Sequence, residues 1–499
     1  MKYVLSVDQG TTSSRAIVYD ESLSVRGTGQ YEFEQIFPQP GLVEHDPEAI
    51  WHTTQRAIDT SLVNAAINGS EISAIGITNQ RETVVVWDKT SGQPIYNAIV
   101  WQDRRTANAC NVLKAQGAEP EVNSKTGLLL DPYFSATKIR WILDNVPGAN
   151  ALAEQGQLLC GTIDSWLIWK LTAGNTHAIE ISNASRTALL NIHTASWDDE
   201  LLKIFGIPAT LLPKIVESSI VIADAQVAPL EGTPISGAAG DQQAALFGQN
   251  CFQKGDAKCT YGTGCFLLTN IGDTPALSSS RLLTTVAWSI NNQLTYALEG
   301  SVFIGGALIQ WLRDNLAIID HAAEVETLAR SVEDNGGITL VPAFAGLGAP
   351  YWDPDARGTL LGITRGTSKA HIARAALEAI AHQVTDVIEV MRTDLDGSLN
   401  TIKVDGGACA NNLLMQLQAD FSNLGVTRAT NLESTALGAA TLAGLGTGVW
   451  PSVETLAGLW HADKTFTPSV NDEERETARN TWRRAIARAG HWVTETAHD

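Results

Sequence analysis

The 499-residue chain is poor in the features that build the commonest metal and phosphate sites. Its six cysteines (Cys110, Cys160, Cys251, Cys259, Cys265 and Cys409) are scattered, with no Cys-x-x-Cys pair and no His-rich tract. That argues against zinc and against a disulfide framework, and fits a reducing, cytoplasmic location. No Gly-Lys dipeptide occurs, so the usual P-loop is absent. No Gly-x-Gly-x-x-Gly occurs either, which removes the dinucleotide fingerprint and the protein-kinase glycine loop. No apolar run approaches membrane-spanning length, and the first residues, stopped by Asp8, do not read as a signal peptide. Basic residues are outnumbered, with 34 Lys and Arg against 54 Asp and Glu, a net charge of −20. Such a surface repels nucleic acid and anionic lipid, so neither is an expected partner. An anionic ligand must then be held by local donors and a metal against the global field.

What is present points to a large α/β protein. The chain is 44% hydrophobic and 18% charged, enough apolar material for a sizeable core. Its length suits about three domains or two large ones. The N-terminal stretch Asp8-Gln9-Gly10-Thr11-Thr12-Ser13-Ser14-Arg15 lies between the apolar runs Tyr3–Val7 and Ala16–Tyr19. This spacing predicts a β-hairpin, followed by a third strand near residues 22–33. A turn with one Gly and several hydroxyls presents backbone N–H and side-chain O–H donors on one side, as a nucleotide phosphate requires. Arg15 adds positive charge, and Asp8 can hold a magnesium ion. The same octapeptide also reads as an ordinary polar turn.

Further along, Asp46-Pro47 opens a helix. The buried strand Ile72–Ile77 ends in Thr78-Asn79-Gln80-Arg81-Glu82-Thr83, and the strand Ile99–Trp101 ends in Gln102-Asp103-Arg104-Arg105. Ile235–Gly240 is a strand-like entry to a small-residue loop, with Asp241 before a helix predicted from Gln242. A second opening then appears: Asp256–Thr260, the turn Tyr261-Gly262-Thr263-Gly264-Cys265 and the run Phe266–Ile271. It echoes residues 3–19 and suggests an internal duplication, with the boundary near 245–255. The expected halves are residues 1–250 and 251–499. A phosphate-binding hairpin in each, facing across a cleft, would clamp a nucleotide and exclude water on closure. The second half adds helices around Phe303–Leu312 and Ile372–Met391, the turn Val404-Asp405-Gly406-Gly407, a small-residue helix opened by Ser434, and a terminal Arg-rich helix.

The string Asp8–Arg15, the turn Gly262-Thr263-Gly264 and the turn Val404–Gly407 resemble the two phosphate loops and the adenosine loop of the actin-like ATPase superfamily. Within it, Tyr133–Trp141 and Gly358–Glu378 resemble the two signatures of the FGGY carbohydrate kinases. The strings Thr78–Thr83, Gly240–Gln243, Tyr261–Phe266 and Gly348–Pro354 are similar to the members that phosphorylate glycerol. The resemblance runs nearly the whole chain, in order and at family spacing. It implies two actin-like, ribonuclease-H-like domains with a cleft between them, and transfer of phosphate from ATP with Mg²⁺ to glycerol.

On the polyol side, the resemblance assigns Arg81, Glu82, Tyr133, Asp241 and Gln242 to the substrate site, with Trp101 and Phe266 packing on its carbon backbone. Taken alone, Arg81-Glu82 is a solvated surface pair. At a strand end beside an apolar core it becomes a donor–acceptor pair matched to a vicinal diol. Either aromatic alone reads as core packing. Asp241 alone reads as a helix cap, whereas a kinase needs a carboxylate to orient or deprotonate the attacking hydroxyl. The resemblance places Asp241 there, beside magnesium together with Asp8.

On the nucleotide side it assigns Thr11, Thr12 and Ser13 to the β- and γ-phosphates, with Arg15 on the transferred phosphoryl and Thr263 opposite. Gly306 and Gln310 would lie along the nucleotide, with Gly407 and Asn411 beside the adenosine. It allows a homodimer or homotetramer, and no stretch identifies an interface. The segment Ala228–Pro234 is short and lacks Lys and Arg, so the basic loop that some relatives use for a sugar bisphosphate is not expected. Residues 217–229 contain no histidine to accept a phosphoryl group. A kinase for another small polyol or a pentulose, or an actin-like nucleotide-switched scaffold or chaperone, are the alternatives.

Overall fold

The computed structural model describes residues 2–395, 397, 399 and 401–493, so the outer limits of the two halves, Met1 and Asp499, lie outside the described residues. Strands β1 (Tyr3–Gln9) and β2 (Ser13–Asp20) form the expected hairpin, with Asp8 opposite Arg15, and β3 (Val25–Glu32) extends it. Strand β4 (Ile72–Asn79) pairs in parallel with β1, and β6 (Pro234–Gly240) pairs in parallel with β4. Strand β5 (Ser219–Asp224) closes that edge, giving the order β5-β6-β4-β1-β2-β3.

The second sheet holds β7 (Ala257–Tyr261), β8 (Cys265–Gly272), β9 (Leu283–Ile290), β10 (Gln293–Val302), β11 (Thr401–Asp405), β12 (Gly425–Ala429) and β13 (Ala462–Phe466). Its order is β9-β10-β8-β7-β11-β12-β13. Strands β7, β8, β10, β11, β12 and β13 repeat the pairing senses of β1, β2, β3, β4, β6 and β5, with β9 as an added edge. The weak sequence echo is therefore a repeat of sheet topology. In both sheets the parallel strands end on the same side, where α/β proteins bind ligands.

Helix α1 (Pro47–Ala65) starts as its sequence requires, the Asp46 carboxylate accepting from the Glu48 N–H at 2.9 Å. It covers one face of the first sheet through Ile50, Ala57, Ile58 and Leu62, which join Leu5, Val7 and Val18 in the core. Helix α2 (Asp241–Gly248) begins one residue earlier than its pattern suggested, with Gly240 as its cap. Helix α3 (Gly306–Asp314) begins three residues later than expected, because the Gly305 and Gly306 N–H groups donate to the turn carbonyls of Thr263 and Gly262. Helix α4 (Lys369–Asp394) runs through the second core, α5 (Asn412–Ser422) packs beside it, and α7 (Asp472–Ala489) closes over both with Trp482 fully buried.

Helix α6 (Ser434–Gly446) lies in the second half of the sequence yet packs on the first sheet. Backbone meets backbone there: a β-carbon on Gly76 would sit 2.1 Å from the Ala439 carbonyl oxygen, and one on Gly438 would sit 1.8 Å from that of Ala244. Only residues without a side chain permit that approach. Gly438→Ala is expected to cost about 1–3 kcal/mol, although Ala is the better helix former by roughly 1 kcal/mol. Gly458, whose β-carbon would meet nothing within 4 Å, supplies the control. Urea denaturation of both variants checks this; equal stabilities would mean that close packing does not explain Gly438.

Candidate active site

The polyol-side residues converge on the end of β4. Arg81 and Glu82 are not a solvated pair: both side chains are no more than 2% exposed. Burying such charges is costly unless each is matched, and here the matching comes from far along the chain. Arg81 grips Glu299 on β10 with both terminal nitrogens, Nη1 to Oε2 at 2.5 Å and Nη2 to Oε1 at 2.9 Å. Arg186 donates Nε–H to Glu82 Oε1 at 2.6 Å and Nη2–H to Glu299 Oε1 at 3.1 Å. Two guanidiniums and two carboxylates thus close a buried lattice that spans both sheets.

Arg81 also reaches two more of the predicted groups. Its Nε lies 3.2 Å from Asp241 Oδ1, and its Nη2 donates to the Tyr133 hydroxyl at 3.4 Å. With the guanidinium fork taken by Glu299, the donors left to face a ligand are those now directed at Asp241 and Tyr133. Glu82 is held in the left-handed region at φ 61°, a conformation costly for a residue with a side chain. The Thr83 N–H bonded to the Arg81 carbonyl and the Ser135 hydroxyl donating to the Glu82 carbonyl keep it there.

The two carboxylates differ in basicity. Burial works against ionisation of both, but Glu299 accepts from both guanidiniums and is held at about 2. Glu82 keeps a single close guanidinium N–H, and burial prevails, raising it above the ordinary carboxylate range. Glu82 is therefore the more basic of the two. Asp241 is likewise raised by burial, against the opposing charges of Arg81 and Lys258. As the first helical residue of α2, just after the Gly240 cap, its carboxylate accepts from the Gln242 N–H at 2.8 Å while facing Arg81.

Glu299, Arg186 and Lys258 escaped the sequence reading. Each stands as a lone charge in a segment otherwise buried, Glu299 within Tyr296–Val302 and Lys258 within Ala257–Cys259. A buried lone charge demands a partner, and that was the available signal. Lys258, lowered by burial, donates to Gln242 Oε1 at 2.5 Å and to Thr260 Oγ1 at 2.8 Å, joining α2 to the end of β7. Phe266 pairs with Thr260 on one side and Ser301 on the other, which puts it on the same sheet face as Lys258 and Glu299. Trp101 packs edge-on to Tyr133 at 5.7 Å, and its indole N–H donates to Thr11 Oγ1 at 3.0 Å.

The nucleotide-side residues fall into two groups. Thr11, Thr12, Ser13 and Arg15 belong to the first hairpin; Thr12 is exposed, and Ser13 accepts from Gln30 at 3.0 Å. Arg15 is bound by two carboxylates, Asp8 Oδ2 at 2.7 Å and Glu433 Oε2 at 2.6 Å, which outweigh burial and raise its pKa. Thr263, Gly306 and Gln310 gather at the start of α3. Gly407 is exposed and follows Gly406, whose φ of 85° and close approach to Tyr261 suit only glycine. Asn411 caps α5 through the Leu414 N–H. A continuous series of contacts runs from Thr11 through Trp101, Tyr133, Arg81, Asp241 and Gln242 to Lys258 and Thr260, three residues short of Thr263.

Comparison with known proteins agrees with this geometry. Residues 3–248 match the N-terminal domain of the FGGY family of carbohydrate kinases, and residues 257–447 match its C-terminal domain. The chain belongs to the FGGY carbohydrate kinases. Among FGGY kinases it is 58% identical over 494 residues to the glycerol kinase of Symbiobacterium thermophilum, covering 99% of each chain. The crystal structure of Plasmodium falciparum glycerol kinase with ADP superposes with a TM-score of 0.92 at 36% identity, covering 98% of each chain. A ligand-bound xylulose kinase from Lactobacillus acidophilus, 24% identical with a TM-score of 0.86 over 98% of this chain and 97% of that one, shares the fold.

Removing Glu299 from this FGGY kinase leaves two buried guanidiniums short of a counter-charge. Glu299→Ala is expected to cost about 3–5 kcal/mol of stability in chemical denaturation. A loss below about 1 kcal/mol would show that Arg81 and Arg186 find other acceptors.

Proposed function

We propose that the chain transfers the terminal phosphoryl group of ATP to glycerol, giving sn-glycerol 3-phosphate and ADP. The observation that carries this reading is the largely buried acid–base cluster at the ends of β4 and β6. There a fixed guanidinium meets a phenol and two carboxylates, with Trp101 packed edge-on to the phenol. Arg81 donates to and Glu82 accepts from adjacent hydroxyls, so a diol satisfies both at once. Asp241 orients the remaining hydroxyl and takes its proton as the new O–P bond forms and the bond to the ADP oxygen breaks. Gln242, held by Lys258, limits how that hydroxyl can turn. Trp101 and Phe266 would pack against the short carbon chain of glycerol.

On the donor side, Thr11, Thr12 and Ser13 offer hydroxyl and backbone donors to the outer phosphates, and Thr263 does so from the other half. Arg15, steadied by Asp8 and Glu433, presents positive charge toward the same turn. Gly306, Gln310, Gly407 and Asn411 line the nucleotide's remaining length. The halves 1–250 and 251–499 act as the two domains that carry these groups.

Among the described residues no cluster of three or more His, Cys, Asp or Glu could hold a metal by itself. That fits magnesium, which is held by one or two carboxylates together with substrate phosphates and water. Asp8, which gives only Oδ2 to Arg15, and Asp241 would hold it. Such an ion would neutralise charge on the phosphates during transfer. No helix among the described residues is long and apolar enough to cross a membrane. Water-soluble substrates suit an enzyme of the cytoplasm.

A coupled ADP-release assay tests the reading: release is expected with glycerol and negligible without it. Faster release with a pentulose, or release independent of any polyol, would overturn it. Asp241→Asn is expected to lower turnover by about 10²–10⁴-fold while nucleotide binding persists. In the parent enzyme kcat/KM should fall on the acid side, because the base works ionised and burial has raised its pKa. Near-normal turnover in Asp241→Asn would remove Asp241 from the mechanism.

A further inference from the structure

The segment Gln80–Thr83 faces two ways. Arg81 and Glu82 point into the buried charge lattice, whereas Gln80 and Thr83 turn toward the first hairpin. The Gln80 N–H donates to the Gln9 carbonyl at 2.7 Å, and its side-chain Nε2 donates to Gln9 Oε1 at 3.0 Å and to the Gly10 carbonyl at 3.2 Å. Thr83 Oγ1 donates to Gln80 Oε1 at 2.9 Å and accepts from the Trp101 backbone N–H at 3.2 Å. Trp101 is thus tied to the hairpin turn by its backbone, through Thr83 and Gln80, and again by its side chain, through Thr11.

The side-chain tie has a chemical consequence. Indole nitrogen only donates, so Thr11 Oγ1 must act as the acceptor in the 3.0 Å contact. The hydroxyl's own hydrogen then points away from Trp101, and no described group accepts it. A hydroxyl polarised in this way is a better donor to an anionic oxygen.

We infer that the Trp101–Thr11 hydrogen bond couples the two ligand sites, so that a polyol packed on the indole orients Thr11 as a phosphate donor, and a phosphate on Thr11 steadies the indole against the polyol. Trp101 thereby acts as a positioning residue for the phosphate turn as well as a wall of the polyol site. The inference rests on the proposed function, which places the polyol on Trp101 and a phosphate on Thr11. Linkage makes the effect reciprocal, with an ordinary size of at least about 5-fold in affinity.

Calorimetry on the full chain tests it, with glycerol titrated in the absence and presence of saturating non-hydrolysable ATP analogue. Trp101→Phe keeps an aromatic wall and deletes the N–H. The parent protein is expected to bind glycerol more tightly with nucleotide present, and Trp101→Phe to lose at least about 5-fold of that enhancement. Thr11→Val should lose as much, the double variant no more than either, and Thr11→Ser, which keeps the hydroxyl, little. An enhancement retained in Trp101→Phe, losses that add in the double variant, or no enhancement in the parent would each overturn the coupling.

Single-ligand affinities separate this from the underlying reading. If Trp101→Ala leaves glycerol affinity unchanged and Thr11→Val leaves nucleotide affinity unchanged, the site assignment itself fails and the coupling with it. If those affinities fall but Trp101→Phe keeps the enhancement, the coupling alone fails.

Discussion

A fully buried guanidinium gripped by a carboxylate from the other sheet is the constraint on which the rest of this structure depends. Arg81, just past the end of β4, and Glu299, within β10, stand 218 residues apart in the chain, and both are withdrawn from water. Each alone would make burial prohibitive. Together with Arg186 and Glu82 they balance in charge, and nearly every donor finds an acceptor. This lattice sets the orientation of Arg81, and through Arg81 the positions of Asp241 and Tyr133. It also sorts the carboxylates: the two arginines keep Glu299 acidic, whereas burial raises Glu82 above the ordinary carboxylate range.

The fold supplies the two strands that the lattice joins. Both sheets are built on one plan, a meander continued by two parallel strands, so the turn after β1 and the turn after β7 stand in equivalent places. Helix α6 ties the halves together by crossing back to the first sheet, where Gly76 and Gly438 let backbones touch. Just before that helix, Glu433 reaches Arg15 beside Asp8. The first hairpin turn is thus braced by its own strand, by the second half, and by Trp101.

Such bracing suits phosphoryl transfer, in which the protein contributes position and charge more than covalent chemistry. The polar links from Gln80 to Gln9 and Gly10, with Thr83 donating to Gln80, hold the segment that carries Arg81 and Glu82 and the first hairpin turn as one unit. A shift at either end reaches the other through hydrogen bonds whose donors and acceptors have few alternatives.

Local physics made much of this legible in the sequence. The hairpin around Gly10, the start of the strand at Ile72 and the Asp46-Pro47 helix start each depend on neighbouring residues alone and appear where their pattern put them. The strand from Ile72, however, runs on to Asn79, and the small-residue stretch expected as a loop continues strand β6 up to α2. The wholesale resemblance to FGGY kinases added what no single motif carried. Pairing over long separations was not legible. Arg81-Glu82 in isolation looks like a wet surface pair, because the groups that justify its burial, Arg186 and Glu299, are placed beside it only by the packing of two sheets. The late start of α3 has the same origin, since the carbonyls that hold Gly305 and Gly306 belong to a turn some forty residues earlier. By itself the sequence determined the local elements and the chemical kinds of residue available, since both follow from short-range sterics and side-chain type. Only the tertiary structure decided which charges neutralise one another, because the energy of a buried charge depends on what surrounds it in space.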